Sequence, residues 1–255
     1  MTTSPDDAEA WVHRFHPRPE ATRRLLCFPY AGGSASFFYP TSTALPPSVE
    51  VLAVQYPGRQ ERRDEPALRD LGELADRAAA ALLPWADRPL TFFGHSMGAV
   101  VAYEVARRWE DRHGIVLGHL YASGRRSPSR HRLETVHLRD DAGLLAELTS
   151  LGGPGLELLA DPEVRAMILP AVRGDYTAIE TYRHTAGAPL RCPLTALIGD
   201  RDPRVSVDEA RAWGELTGGP FALRVFPGGH FYLVDAQREI NAMLAREPAA
   251  ADDPR

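Results

Sequence analysis

Leu90-Thr91-Phe92-Phe93-Gly94-His95-Ser96-Met97-Gly98-Ala99 is the stretch on which the reading of this chain turns. Leu90–Phe93 reads as a short buried strand, and Ala99 to Trp109 reads as a helix. Between them, Gly94-His95-Ser96-Met97-Gly98 places a serine on a sharp strand-to-helix turn, the context of a nucleophile elbow. Such a turn strains the backbone at the serine, so the residues two before and two after it must be small. Both are glycine. A Gly-x-Ser-x-Gly pentapeptide also arises by chance, and its context and downstream partners give this one weight.

Outward from the elbow, strands and helices alternate. Strand-like runs are Arg24–Phe28, Val49–Gln55, Val116–Ala122, Leu194–Ile198 and Phe221–Phe226, with an added edge strand in Trp11–His16. Helix-like runs are Asp70–Leu83, Val207–Leu216 and Tyr232–Ala245. Short apolar strands separated by helices predict an α/β fold: a mostly parallel central sheet with helices on both faces. The core comprises residues 1–124 and 189–255, with frayed polar tails at 1–9 and 248–255. Residues 125–188 lack a convincing strand. Helical pieces at Asp141–Thr149, Pro162–Leu169 and Ala171–Tyr182, punctuated by Gly152-Gly153-Pro154-Gly155 and Pro170, predict a helical lid inserted over the strand ends. A plain structural crossover would need fewer residues.

A serine hydroxyl needs a base, and the base needs an orienting acid. When these follow in the order Ser, acid, His at successive strand ends, the arrangement is that of an α/β-hydrolase. His230, in Pro227-Gly228-Gly229-His230-Phe231, follows the last strand and is the candidate base. The preceding strand ends in Gly199-Asp200-Arg201-Asp202-Pro203. An acid three residues past the closing glycine favours Asp202. Asp200 stays as its competitor, read otherwise as capping a turn or pairing with Arg201 or Arg204. For the oxyanion hole, the N–H of Met97 follows the nucleophile, and the turn Pro29-Tyr30-Ala31-Gly32-Gly33 supplies the second donor. Ala31 is the first choice there, with Tyr30 next.

Composition narrows the rest. The net charge of −5 gives no support for nucleic-acid binding, and the 29 basic residues are all arginine. Cys27 and Cys192 show no metal-ligand spacing and read as buried free thiols in a reducing compartment. The N-terminal residues do not read as a signal peptide and no apolar run reaches membrane-span length, so a cytoplasmic protein without membrane contact is expected.

Taken together, Phe28-Pro29-Tyr30-Ala31-Gly32-Gly33, Tyr56-Pro57-Gly58-Arg59, Gly94-His95-Ser96-Met97-Gly98, Gly199-Asp200-Arg201-Asp202-Pro203 and Gly228-Gly229-His230-Phe231 resemble the type II thioesterases. These stand-alone enzymes accompany polyketide synthases and nonribosomal peptide synthetases. The resemblance covers nearly the whole chain. It implies hydrolysis of acyl groups from the phosphopantetheine thiol of acyl or peptidyl carrier proteins, clearing aberrant units. It also implies Ser96, Asp202 and His230 as the triad, and neither metal nor cofactor. A monomer is expected. Tyr30, Leu144, Met167, Tyr176 and Phe231 are candidate acyl contacts, although most of the lid residues Leu144, Leu145, Leu148, Met167, Ile168 and Tyr176 read first as the lid's own packing. Arg59, Arg125 and Arg126 are candidates for docking an acidic carrier, against the alternative of an ordinary arginine surface. The competing functional readings are a general carboxylesterase or lipase, and a non-catalytic binding protein on the same fold.

Overall fold

The computed structural model describes residues 5–246. Its strands are β1 (Val12–His13), β2 (Arg23–Phe28), β3 (Val49–Val54), β4 (Leu90–His95), β5 (His119–Ser123), β6 (Leu194–Gly199) and β7 (Phe221–Phe226). Its α-helices are α1 (Pro5–Ala10), α2 (Tyr39–Ala44), α3 (Leu71–Leu82), α4 (Met97–His113), α5 (Asp141–Leu151), α6 (Pro162–Thr181), α7 (Val207–Arg211), α8 (Tyr232–Asp235) and α9 (Gln237–Ala245). The strands form one seven-stranded sheet in the order β1-β3-β2-β4-β5-β6-β7. Only β1 runs antiparallel to its neighbour. This is the α/β-hydrolase architecture expected from the alternation of elements.

Strands β2, β3, β4 and β6 are buried along their whole length, which is why they read as continuous apolar runs. Alternate residues still divide between the two faces. Leu26, Phe28 and Phe92 pack under α3 and α4 with Trp109, while Leu25, Cys27 and Phe93 pack on the other face, in one cluster with Ile240 and Leu244 of α9. Both faces are therefore covered, and the carboxyl ends of β4, β5, β6 and β7 open toward one edge of the molecule, where loops carry the chemistry.

Several boundaries differ from the sequence reading. The expected helix at Tyr232–Ala245 is two helices separated at Ala236, and the second half of the run from Val207 is a 3-10 turn, Ala212–Leu216. Between β5 and β6 lie α5, α6 and 3-10 turns at Val136–Leu138 and Leu156–Ala160. Pro170 does not divide this region: α6 runs through it unbroken. The carbonyl that loses its partner is that of Ala166, and both residues are exposed, so water can take the place of the missing bond. Val136, Leu144, Leu169, Val172 and Tyr176 give this segment a small core of its own. Helix α1 occupies part of the stretch read as an N-terminal tail; residues 1–4 and the tail at 248–255 lie outside the described residues. Among the described residues no helix is long and apolar enough to cross a membrane.

Candidate active site

The turn between β4 and α4 is built by close approach. A Cβ on Gly94 would lie 2.2 Å from the carbonyl oxygen of Gly98, and one on Gly98 would lie 2.1 Å from that of Phe28. Neither position admits a side chain without moving backbone. Ser96 sits between them at φ 54° and ψ −117°, a strained conformation for a residue with a Cβ. Its N–H donates to the carbonyl of Ser123 at 2.7 Å, which fixes the turn to β5.

Three side chains from three strand ends converge there. The Ser96 hydroxyl lies 3.0 Å from His230 Nε2. His230 Nδ1 faces both oxygens of Asp202, at 3.0 and 2.9 Å. The Asp202 side chain is fully buried and accepts a further bond from the Arg204 N–H at 2.8 Å. Asp200 takes the other course weighed for it. It accepts from the Gly228 N–H at 2.8 Å and pairs with Arg201, and these contacts, the backbone bond first, hold its carboxyl below the usual range. It braces the turn that carries His230 and does not reach the imidazole.

His95, beside Ser96, is fully buried and bonds Ser123 Oγ at 2.9 Å, which in turn bonds the Tyr232 hydroxyl at 2.7 Å. Burial, then the neighbouring His230, push its pKa well below the ordinary imidazole value, so this ring stays neutral at neutral pH.

The turn after β2 lies against this group. The Gly33 N–H returns to the carbonyl of Tyr30 at 2.8 Å, and the Gly32 N–H goes to Asp175 Oδ2 at 2.7 Å. Among the described residues the Ala31 N–H has no protein acceptor. Met97 is the first residue of α4, so its N–H lacks an intrahelical acceptor. Ala31 and Met97 both line a cavity of about 130 Å³ that also contains Ser96 and His230.

Asp175 escaped the sequence reading. It is a buried carboxylate on α6 that holds Arg59 through paired bonds of 2.7 and 2.8 Å, while Arg59 also donates to the Gly33 carbonyl at 3.0 Å. The pair ties the helical insertion to the turn carrying Ala31. A lone Asp in a helix gives no sequence signal of such a partner 116 residues away. Breaking a buried pair leaves an uncompensated charge, so Asp175→Asn is expected to destabilise the protein by about 3–5 kcal/mol, read as a lower urea midpoint. A midpoint equal to the parent's would show that the pair does not brace the fold.

The cavity's apolar wall comes from Leu148, Leu156, Leu159, Ile168, Val172 and Ile179. Of the acyl contacts expected from sequence, Tyr30, Tyr176 and Phe231 line the cavity. Burial raises the pKa of Tyr30 and of Tyr176 to about 12, so both phenols are neutral. Leu144 and Met167 need correction. Leu144 is wholly buried in the insertion's own core, and Met167 is 56% exposed. On α6, Ile168, Val172 and Tyr176 recur every four residues on the cavity side, and Met167 is one residue, about 100°, out of phase.

The arginine surface needs correction too. Arg59 and Arg126 are 8% and 4% exposed and committed to Asp175 and Glu134, so neither can present charge to a partner. Arg125 borders the cavity on one side and a shallow surface pocket with Arg130, His131 and Arg132 on the other, and only 11% of its side chain is exposed. Arg130 and Arg132 are exposed, paired to Glu215 and to the half-buried Glu209.

A family model described as a thioesterase domain matches residues 23–246. The probable cadicidin biosynthesis thioesterase of Streptomyces griseus is 50% identical over 246 residues, 96% of this chain and 68% of that protein. Thioesterase PikA5 of Streptomyces venezuelae is 51% identical over 235 residues, covering 92% of this chain and 84% of its own. Among solved structures, the type II thioesterase BorB from the borrelidin biosynthetic cluster matches with a TM-score of 0.88 at 48% identity, over 92% of this chain and 96% of that one.

Proposed function

The chain belongs to the thioesterase family, and on that premise we propose that it frees acyl groups from the phosphopantetheine thiol of acyl or peptidyl carrier proteins. Its role in this reading is to clear aberrant units from a polyketide or nonribosomal peptide synthase. The observation that carries the reading is the hydrogen-bonded series Ser96, His230, Asp202, opening on an apolar cavity beneath a helical insertion. Residues 125–188 act as the lid of that cavity, and the described residues on either side of it, 5–124 and 189–246, form the core that carries the reacting groups.

The hydrogen-bonded series supports one course of reaction. Ser96 Oγ attacks the thioester carbonyl carbon as His230 Nε2 takes its proton, and Asp202 holds the imidazole by Nδ1 and stabilises its charged form. The new oxyanion is met by the N–H groups of Ala31 and Met97, each contributing about 2.7–4 kcal/mol to the transition state. The carbon–sulfur bond breaks, and the thiolate leaves with the proton held by His230. Water then gives a proton to the same nitrogen as it attacks the acyl-enzyme, and Ser96 leaves with that proton. The apolar wall reads chain length loosely, since one methylene changes selectivity by only about 1–3 kcal/mol.

The test compares a propionyl group on a carrier protein with the same group on free pantetheine and as its p-nitrophenyl ester. Carrier recognition predicts a kcat/KM on the carrier at least about tenfold above that on pantetheine. Equal values on both thioesters would remove the carrier from the proposal, and a clear preference for the oxygen ester would favour a general esterase.

A further inference from the structure

The cavity that receives the acyl group is not apolar throughout. Arg125, Glu134, Glu180 and Arg204 form one part of its lining, next to Tyr176. Arg125 is placed there by the sheet. It lies two residues past the end of β5, which pairs with the strand that ends at the nucleophile turn. Gly124 before it turns at φ 62°, with its N–H bonded to the Leu197 carbonyl at 2.8 Å, and the Trp213 indole N–H holds the Arg125 carbonyl at 2.8 Å.

The hydrogen bonds around this guanidinium are already allotted. Glu134 accepts from Arg126 through Oε2 and from Arg204 at 2.7 Å through Oε1. Arg204 also bonds Glu147. Glu180 accepts the backbone N–H groups of Val136 at 3.1 Å and His137 at 3.0 Å, and bonds the His137 ring. The carboxylate paired with Arg125 is Glu134, at 3.8 Å, beyond hydrogen-bond reach. Among the described residues, then, the Arg125 guanidinium donates to no protein group, although its side chain is only 11% exposed and borders the space that holds Ser96. Burial, then Arg126, lower its pKa to about 10, which still leaves it charged at neutral pH.

We propose that Arg125 selects the acyl group by donating to a neutral acceptor oxygen, a ketone, hydroxyl or amide carbonyl, carried on the acyl chain beyond the thioester carbonyl. An acyl chain that fills the cavity excludes water from it, so a plain alkyl chain leaves charged donors unsatisfied and an oxygenated one pairs them. A neutral oxygen fits better than a carboxylate because Glu134 and Glu180 line the same part of the cavity beside Arg125, so a further anion would stand against two carboxylates already there. The assignment rests on the thioester reading of the site and adds to it a chemical class of acyl group.

The experiment uses pantetheine thioesters of three five-carbon acyl groups, pentanoyl, 3-oxopentanoyl and 4-oxopentanoyl, and, as the anionic probe of matching shape, succinyl, whose carboxylate oxygen replaces the end methyl of 4-oxopentanoyl. Each is given to the parent enzyme, Arg125→Met and Arg125→Lys, and kcat/KM is expressed relative to pentanoyl, so that intrinsic thioester reactivity cancels between enzymes. In Arg125→Met the relative value for at least one oxo substrate should fall about tenfold or more, with Arg125→Lys between it and the parent. Should Arg125→Met fail to fold, Arg125→Lys alone carries the comparison and should still show a reduced oxo preference. Relative values that stay within about threefold of the parent for both oxo substrates would overturn the proposal, as would a loss confined to succinyl. A parent enzyme inert toward all four acyl groups, both on pantetheine and on a carrier protein, would instead overturn the thioester reading itself, and the assignment of Arg125 with it.

Discussion

Ser96→Ala is expected to lower kcat for a propionyl carrier protein by about 10⁴- to 10⁶-fold, with little change in thermal stability. The size of the loss follows from the geometry. The hydroxyl is 3.0 Å from His230 Nε2, and in the proposed reaction it is the group that takes the acyl chain. The remaining activity would come from the oxyanion donors and from binding alone. Stability should survive because alanine keeps the Cβ already accommodated at φ 54° and removes only a hydroxyl facing the cavity. A fluorophosphonate that labels the parent should fail to label the variant. Turnover within about tenfold of the parent would dismiss Ser96 as the nucleophile.

Asp202→Asn should cost about 10⁴-fold in kcat, while Asp200→Asn should stay within about threefold of the parent. The asymmetry separates two carboxylates that are two residues apart. Asp202 meets His230 Nδ1 with both oxygens from a fully buried position, and an amide there would present its NH₂ to that nitrogen and favour the wrong tautomer. Asp200 is half exposed and touches only the turn beneath. Steady-state release of a propionyl group read for both variants decides the matter. Equal losses would mean that the acid acts through the turn and not through the imidazole.

The sheet was legible because its central strands are buried on both faces. A run such as Leu25-Leu26-Cys27-Phe28 leaves little room for another assignment, and the glycines around Ser96 report a backbone contact that any side chain would break. Ser96, Asp202 and His230 could be named because each lies a few residues past such a strand, so local position carried the long-range information. The insertion was harder. Its helices meet through a small cluster shared with the turn at Val136–Leu138, while α6 also sends Ala178 and Ile179 into the main core, and the phase of a helix against a cavity depends on how the helix is docked. That is why Met167 was preferred to Ile168 for the acyl wall. Pro170 misled for a related reason, since exposure decides whether a missing helical bond costs enough to end the helix. The arginines were least legible of all. Charge in a sequence says nothing of its counter-ion, and Arg59 and Arg126 find theirs in Asp175 and Glu134, far along the chain or inside the insertion.

The Arg59–Asp175 pair bears on any attempt to redesign this enzyme by grafting. Helix α6 supplies Ile168, Val172 and Tyr176 to the wall that an acyl chain would meet, and the same helix carries the carboxylate that grips the Gly32 N–H. Selectivity and rate are thus mechanically joined. A cassette exchanged between relatives to alter the accepted acyl group would also reset the turn proposed to meet the oxyanion, unless the arginine outside the cassette travels with the aspartate inside it. Directed evolution confined to residues 125–188 would meet the same constraint, reaching new pockets easily and fast ones only through compensating changes near Arg59.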